Sequence, residues 1–332
     1  MNHKFEDIVS VDNFLAAYKE FIKGKMNKRD VRDFSFCLMD NIFLLHKDVV
    51  NYEYNHGGYQ AFKVSDPKPR TIHKASVRDR LLHRAMYRIL YPFFDRTFIS
   101  DSFSCRNDKG THSAIRRFNH FGHIVSKNNT KTCWVLKCDI RKFFASINQQ
   151  ILLKILRKYI IDEKIIQLLE KIICSFYSVR QGVGLPLGNL TSQLFANIYM
   201  NEFDQFIKHK MKIKHYIRYA DDFVFLSENK NYLESIIPAI ADFLEKELKL
   251  SLHPNKVFIE TLFSGVDFLG CVNFSNYSVL RNSTKKRMMK RMKIRPMVKT
   301  LSSYIGLLSH SNNYKLRNKI LEPFIENYDK FV

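Results

Sequence analysis

The tetrad Tyr219-Ala220-Asp221-Asp222 constrains this chain more than any other feature, because two adjacent carboxylates stand between two short β-prone runs. The runs are His215-Tyr216-Ile217-Arg218-Tyr219 and Phe223-Val224-Phe225-Leu226, rich in aromatic and β-branched residues. They predict a hairpin with both acids at its tip. Side-by-side carboxylates repel, and a fold tolerates them best where water or a divalent cation compensates them. An ordinary solvated turn is the plainer reading, since aspartate is a common turn residue.

A third acid favours the metal. Trp134-Val135-Leu136-Lys137-Cys138-Asp139-Ile140 is a mostly apolar, β-prone run with Asp139 near its end. An acid closing a buried strand needs a partner. With this strand beside the hairpin, Asp139, Asp221 and Asp222 converge into a hard-oxygen set suited to Mg²⁺. Two such ions, roughly 3.5–4 Å apart, lower the pKa of an attacking 3′-hydroxyl and stabilise a leaving pyrophosphate.

The series Asp139-x4-Phe144, then Gln181-Gly182-Val183-Gly184-Leu185-Pro186-Leu187-Gly188-Asn189-Leu190-Thr191-Ser192-Gln193, then Tyr219-Ala220-Asp221-Asp222, resembles the palm motifs of reverse transcriptases, in that family's order. The resemblance extends to Pro67-Lys68-Pro69-Arg70, Arg78-Asp79-Arg80, Ser102-Phe103-Ser104-Cys105-Arg106, Leu252-His253-Pro254-Asn255-Lys256 and Phe268-Leu269-Gly270. Intron-type bacterial enzymes usually carry Gln-Gly-x-x-x-Ser-Pro in the middle motif. The run Leu187 to Gln193 looks instead like the reverse transcriptase of a diversity-generating retroelement, whose family copies a template-repeat RNA, misincorporates opposite adenines and works with a small basic accessory protein. The resemblance implies an α+β right-hand polymerase fold. Residues 1–135 would be N-terminal helices and fingers, the fingers continuing around 150–190, with a palm over 136–275 and a basic helical thumb over 276–332.

The same resemblance implies the site. Asp139, Ile140, Asp221 and Asp222 would hold two Mg²⁺ ions, with Mn²⁺ as substitute, and the three acids would be catalytic. Arg70 and Arg80 would cradle the triphosphate of a deoxynucleotide, an arginine fork matching phosphate oxygens, with Arg78 and Arg106 as weaker candidates. Phe144 would be the steric gate against a ribose 2′-hydroxyl, the group that separates the two sugars. Leu187, Gly188 and Gln193 would border the nascent base pair, and Lys256 would assist the leaving pyrophosphate. Against these stand plain readings: a core aromatic for Phe144, solvated charges for the arginines and lysine.

Composition is consistent with this reading. With 54 basic and 32 acidic side chains, the chain carries +22, the footprint of a polyanion binder. Template RNA and an RNA/DNA hybrid are the simplest partners. Ser283-Thr284 would cap a basic helix containing Lys285, Lys286, Arg287, Lys290 and Arg291, expected to grip nucleic acid; with Arg106 these complete the expected nucleic-acid contacts. An anionic membrane is the rival partner for such a helix. The N-terminus carries acids where a signal peptide would be basic, and no run reaches about eighteen apolar residues. A cytoplasmic protein with six reduced cysteines and no membrane partner is expected.

Periodicity predicts helices in residues 1–50, over Val77–Phe94, over Gln150–Phe176 with a break at Ile161-Asp162-Glu163, and over Thr191–Phe206. A turn or hairpin is expected around Tyr52–Tyr59, and Asp66-Pro67-Lys68-Pro69 breaks the chain before a β-like Arg70-Thr71-Ile72-His73. Three rival functions share parts of this pattern. They are a retron or abortive-infection reverse transcriptase, a non-catalytic RNA-binding protein on a polymerase scaffold, and a palm-fold nucleotide cyclase.

Overall fold

The computed structural model describes residues 4–65, 69–294, 298–309, 312 and 314–325. Pro67 and Lys68 of the expected fingers motif lie outside the described residues. The N-terminal region is helical as expected, with α1 (Phe5–Val9), α2 (Val11–Phe21), α3 (Arg29–Phe36) and α4 (Leu38–Val50). A hairpin follows, β1 (Gln60–Val64) paired antiparallel with β2 (Arg70–Lys74). Residues 52–59, where the sequence suggests a turn or hairpin, form no strand; a turn at Asn51-Tyr52 is followed by irregular chain leading into β1. α5 (Val77–Asp95) starts where the Ser76 hydroxyl accepts the Asp79 N–H and donates to the Asp79 carboxylate. It packs against α2 on one side and a later helix on the other.

The chain continues through α6 (Thr111–Val125), β3 (Trp134–Asp139) and a single turn, α7 (Phe143–Ser146). The long apolar stretch then breaks in two, α8 (Gln149–Tyr159) and α9 (Glu163–Ile173), at the place the sequence predicts. The break has a cause: the Asp162 carboxylate caps the Lys164 N–H at 2.9 Å and accepts the Phe5 N–H at 2.8 Å, fastening α1 to α9. α10 (Leu190–Gln205) runs on into a π-helical turn over Phe206–Lys210. After β4 (Tyr216–Tyr219), β5 (Asp222–Ser227), α11 (Lys230–Leu248) and β6 (Phe258–Thr261) comes a ribbon of β7 (Val266–Phe268), β8 (Cys271–Asn273) and β9 (Ser278–Leu280). The C-terminal helices are α12 (Asn282–Ile294), α13 (Val298–Leu308) and α14 (Tyr314–Ile325).

The four-stranded sheet has order β4-β5-β3-β6 and is antiparallel throughout. Both of its faces are covered, so its strands alternate between two cores rather than between core and solvent. Leu136, Cys138, Tyr216, Phe223 and Phe225 point into the main core with α5, α8, α10 and α11. Val135, Ile217, Val224 and Leu226 point the other way, onto Phe118 and Phe121 of α6. Burial on both faces accounts for the near-continuous apolar runs of β3 and β5. A third core joins Ile115 of α6, Leu280 of β9 and Met288 and Met292 of α12 to α13 and α14. α12 begins at Asn282, and the Lys285 N–H already bonds the Arg281 carbonyl, so Ser283 and Thr284 sit inside the first turn rather than capping it.

Candidate active site

The register of the sheet places the acids. β3 and β5 pair antiparallel with Asp139 opposite Asp222, and β4 pairs with β5 so that Tyr219 faces Asp222 across a two-residue connection. Ala220 in that connection has φ 56°, a left-handed conformation uncommon for a residue with a Cβ. The hairpin tip is tied to the end of β3 by the Ile140 N–H, 3.3 Å from the Asp221 carbonyl. The 249–257 segment closes over the same end, where the His253 N–H meets the Asp139 carbonyl at 2.7 Å. All three acids therefore sit at one end of the central strands, as the sequence predicts.

Their electrostatics are strained. Burial pushes the Asp222 carboxyl up to about 6; Lys137 counters, while Asp221 and then Asp139 push it further up. Asp221 is raised too, first by burial, then by Asp139, against the pull of its own backbone N–H and of Arg70 and Lys256. Lys256 Nζ lies 2.8 Å from Asp139 Oδ1 and is the cation nearest that carboxylate. Among the described residues, no three metal-ligating side chains close into an ion cage as they stand. The donor set nonetheless fits a hard divalent ion: the carboxylates are oxygen ligands, Asp221 and Asp139 both push the Asp222 carboxyl up, and Mg²⁺ is normally held by a few carboxylates and completed by water and phosphate. Ile140 is almost fully buried and has only its backbone carbonyl to offer.

The raised pKa carries a sign. Asp222 binds its proton more tightly folded than unfolded, so between about pH 4 and 6 the metal-free protein loses stability through this group as pH rises. The expected result is a melting temperature that falls over that interval in wild type and falls less in Asp222→Asn, read in thermal melts with chelator present.

The other expected residues divide. Arg70 stands on β2 close enough to Asp221 to lower its pKa. Phe144 is half-buried on α7, edge-on to Phe143, and its carbonyl accepts the Leu185 N–H at 2.8 Å, so the turn after Asp139 is fastened to the glycine loop. Leu187 is half-buried and its carbonyl accepts the His73 N–H at 2.9 Å, stapling that loop to β2. Gly188 has φ 106°, and a Cβ there would meet Ile72 Cγ2 at 2.6 Å. Its small size thus admits Ile72 of β2, on a loop where the resemblance implies a border of the nascent base pair. Gln193 is half-buried in the first turn of α10.

Three arginines are used elsewhere. Arg80 Nη2 lies 2.6 Å from Asp30, with its guanidinium over the Phe21 ring, and neither Asp221 nor Asp222 feels it among its main influences. Arg78 pairs with Asp48 at 2.6 Å. The Arg106 side chain is 6% exposed, with Nε 2.7 Å from Asp95 and Nη1 on the Ile99 and Ser102 carbonyls, which makes it an internal brace rather than a nucleic-acid contact. On α12 the methionines face inward, leaving Lys286, Lys290 and Arg291 exposed and Lys285 and Arg287 half-buried. A cavity of about 830 Å³ between α8, α10 and α11 does not include these acids and is lined by mixed charges such as Lys154, Lys158, Glu202 and Asp242.

One group escaped the sequence reading. Arg218, fully buried, forks onto Asp204 with Nε–Oδ1 2.8 Å and Nη2–Oδ2 2.6 Å. It also donates to Ser102 Oγ at 3.0 Å, Asn197 Oδ1 at 3.3 Å and the Ala220 carbonyl at 3.2 Å. Tyr216 OH completes the network at Asp204 Oδ1, 2.8 Å away. The last of Arg218's bonds holds the strained turn that carries Asp221. A lone charge inside a doubly covered strand was the available signal.

A family model described as reverse transcriptase (RNA-dependent DNA polymerase) matches residues 63–273, from β1 to β8 and across all three acids. The chain belongs to the reverse transcriptase family. The matched span contains every motif from Arg70 to Phe268-Leu269-Gly270 on which the resemblance was read. Among similar curated proteins, YkfC of Escherichia coli is 28% identical over 245 residues, covering 62% of this chain and 63% of YkfC. The group II intron-encoded protein LtrA of Lactococcus lactis is 26% identical over 156 residues, 45% of this chain and 25% of LtrA. The chain thus spans under two thirds of either relative. Telomerase from Candida tropicalis, solved in complex with a TWJ fragment of telomeric RNA, superposes with TM-score 0.52 at 14% identity, over 87% of this chain and 57% of that one. The reverse transcriptase fold here is accordingly the α+β right-hand polymerase fold. No helix among the described residues is long and apolar enough to cross a membrane.

Proposed function

We propose that this protein is an RNA-directed DNA polymerase that extends a primer on template RNA by two-metal nucleotidyl transfer. The observation that carries the reading is the pairing of Asp139 with Asp222 across β3 and β5, with Asp221 at the adjoining turn. Asp139, Asp221 and Asp222 would hold Mg²⁺, with Mn²⁺ as substitute and the Ile140 carbonyl beside them. When bound, the ions activate the primer 3′-hydroxyl and neutralise charge on the transferred phosphoryl and the leaving pyrophosphate. Arg70, whose charge is felt at Asp221, would meet the triphosphate of an incoming deoxynucleotide. Lys256, 2.8 Å from Asp139 Oδ1, would offer its ammonium to the leaving pyrophosphate. Residues 1–135 with 150–190 would act as fingers, 136–275 as palm and 276–332 as thumb, α12 resting its exposed lysines on the RNA/DNA hybrid.

Phe144 serves as the sugar gate in this reading, at the turn that follows Asp139. Phe144→Ala should admit ribonucleotides, raising their incorporation at least about tenfold in a competition assay; unchanged sugar selectivity contradicts the role.

We further propose that the enzyme is error-prone opposite template adenines, as in diversity-generating retroelements, and works in the cytoplasm with a small basic accessory protein. The support is the run Leu187-Gly188-Asn189-Leu190-Thr191-Ser192-Gln193, where an apolar Leu187 cannot hydrogen-bond the nascent pair. Losing one such contact relaxes discrimination by about 1–3 kcal/mol. Leu187→Gln should lower errors opposite adenine by about tenfold in sequenced products, and an unchanged spectrum refutes it. An accurate intron-type, retron or phage-defence reverse transcriptase is the second reading, favoured by the likeness to YkfC and LtrA. Sequencing the products of wild-type extension separates the two: errors clustered at adenines support the first, uniform accuracy the second.

A further inference from the structure

The helix α4 is apolar on two faces, although its own fold covers only one. Ile42, Leu45 and Val49 point inward and join the main core, with α1, α2 and α3 packed around them. Met39, Phe43, Leu44 and Val50 are exposed on the outside, and Phe36, at the end of α3 and three residues before Met39, is 92% exposed. By contrast α9, which packs into the same core, turns Glu163, Lys164, Gln167 and Lys171 outward. Large apolar side chains gathered on successive turns of one helix mark an interaction surface, because burying them against a partner recovers the free energy lost by leaving them in water.

The charge of this face does not suit nucleic acid. α3 and α4 together carry three basic and four acidic side chains, in a chain whose total is +22. Its charges instead match a second copy of itself. Asp40 stands three residues before Phe43 and Lys47 three residues after Leu44; both are exposed, and neither is ion-paired among the described residues. Seven residues apart, they share one side of the helix. An antiparallel α4 whose two-fold axis passes between Phe43 and Leu44 sets Asp40 opposite Lys47 of the second copy, and Lys47 opposite its Asp40. The same axis lays Phe43 of each copy on Leu44 of the other. The face is therefore complementary to itself in both charge and apolar surface, which is what an isologous two-fold contact requires.

We propose that the outer face of α4 is a homodimer interface, on which α4 packs antiparallel against α4 of a second copy. Phe36 of one copy then lies beside Val50 of the other at each end of the contact. Two chains of +22 repel over most of their surfaces, and this face, free of excess positive charge, is where they can approach. α4 has 13 residues and is about 20 Å long, so the contact is at the small end of specific interfaces and the dimer should form at micromolar concentrations. The face lies on none of the elements that carry Asp139, Asp221 and Asp222, and the proposal stands apart from the polymerase reading.

The test is sedimentation velocity of the full chain, nuclease-treated so that no RNA bridges two molecules, over about 1 to 100 μM. The mass should rise with concentration from that of one chain toward that of two. Phe43→Ser/Leu44→Ser should remain a single chain throughout. Asp40→Lys, which sets like charges face to face twice, should weaken association at least about tenfold, and the swap Asp40→Lys/Lys47→Asp should restore it to near wild type. The four positions are exposed, and thermal melts check that each variant is folded. A wild-type chain that stays single at the highest concentration overturns the dimer. A dimer that Phe43→Ser/Leu44→Ser leaves intact overturns this face, and a swap that fails to restore association overturns the antiparallel register. A wild-type chain that stays single yet binds a small basic accessory protein through Phe43 and Leu44 overturns the second copy and assigns the face to that partner.

Discussion

Arg218→Ala is expected to lower the free energy of unfolding by about 3–5 kcal/mol, the usual cost of leaving one member of a buried ion pair without its partner. Asp204 is fully buried, and its remaining donor in the network would be Tyr216, which supplies a neutral hydroxyl to a full charge. In a chain of this size that loss corresponds to a fall of about 4–7 °C in melting temperature. Asp204→Asn should cost less than Asp204→Ala, because the amide keeps an acceptor for Tyr216 and Arg218. Urea melts of the three variants measure this. A drop below about 1 kcal/mol for Arg218→Ala would mean the pair is solvated or slack, and that the Ala220 turn is held by something else.

Asp222→Asn is expected to reduce the rate of nucleotide addition by about a thousandfold or more, equivalent to some 4 kcal/mol of transition-state stabilisation. Asparagine keeps the shape of the side chain and removes the charge, so the β3–β5 register and both cores should survive. Melting temperature and RNA affinity should match wild type or slightly exceed it, since the substitution removes a buried carboxylate that its neighbours repel. Single-turnover primer extension gives the rate, and retained binding assigns the loss to chemistry. Near-normal rates would remove Asp222 from the metal set, and with it the significance of its pairing with Asp139.

The parts of this fold that are legible in the sequence are those decided within a few residues. The strands β3, β4 and β5 are readable because burial on both faces makes them continuously apolar, and the Asp221-Asp222 turn because two acids cannot sit inside them. Asp162 marks the break between α8 and α9 by capping, a local effect. What depends on distant partners is not readable. Arg80 and Arg106 have the composition of phosphate ligands, yet Asp30 and Asp95 claim them across the fold. Arg218 looks like an outward-facing charge until Asp204 of α10 arrives beneath it. The β-like run Arg70–His73 was legible as β2, whereas its partner β1 was not, being exposed along its whole length with no buried face to mark it.

The most direct measurement is Mg²⁺-dependent extension of a DNA primer on a defined RNA template, run beside Asp221→Asn/Asp222→Asn and in the presence and absence of chelator. The account predicts DNA product complementary to the RNA, lost in the double variant and on chelation and restored by added Mg²⁺. Product that persists in the double variant, or no product from a folded wild type that binds the template with Mg²⁺ and deoxynucleotides supplied, would contradict it.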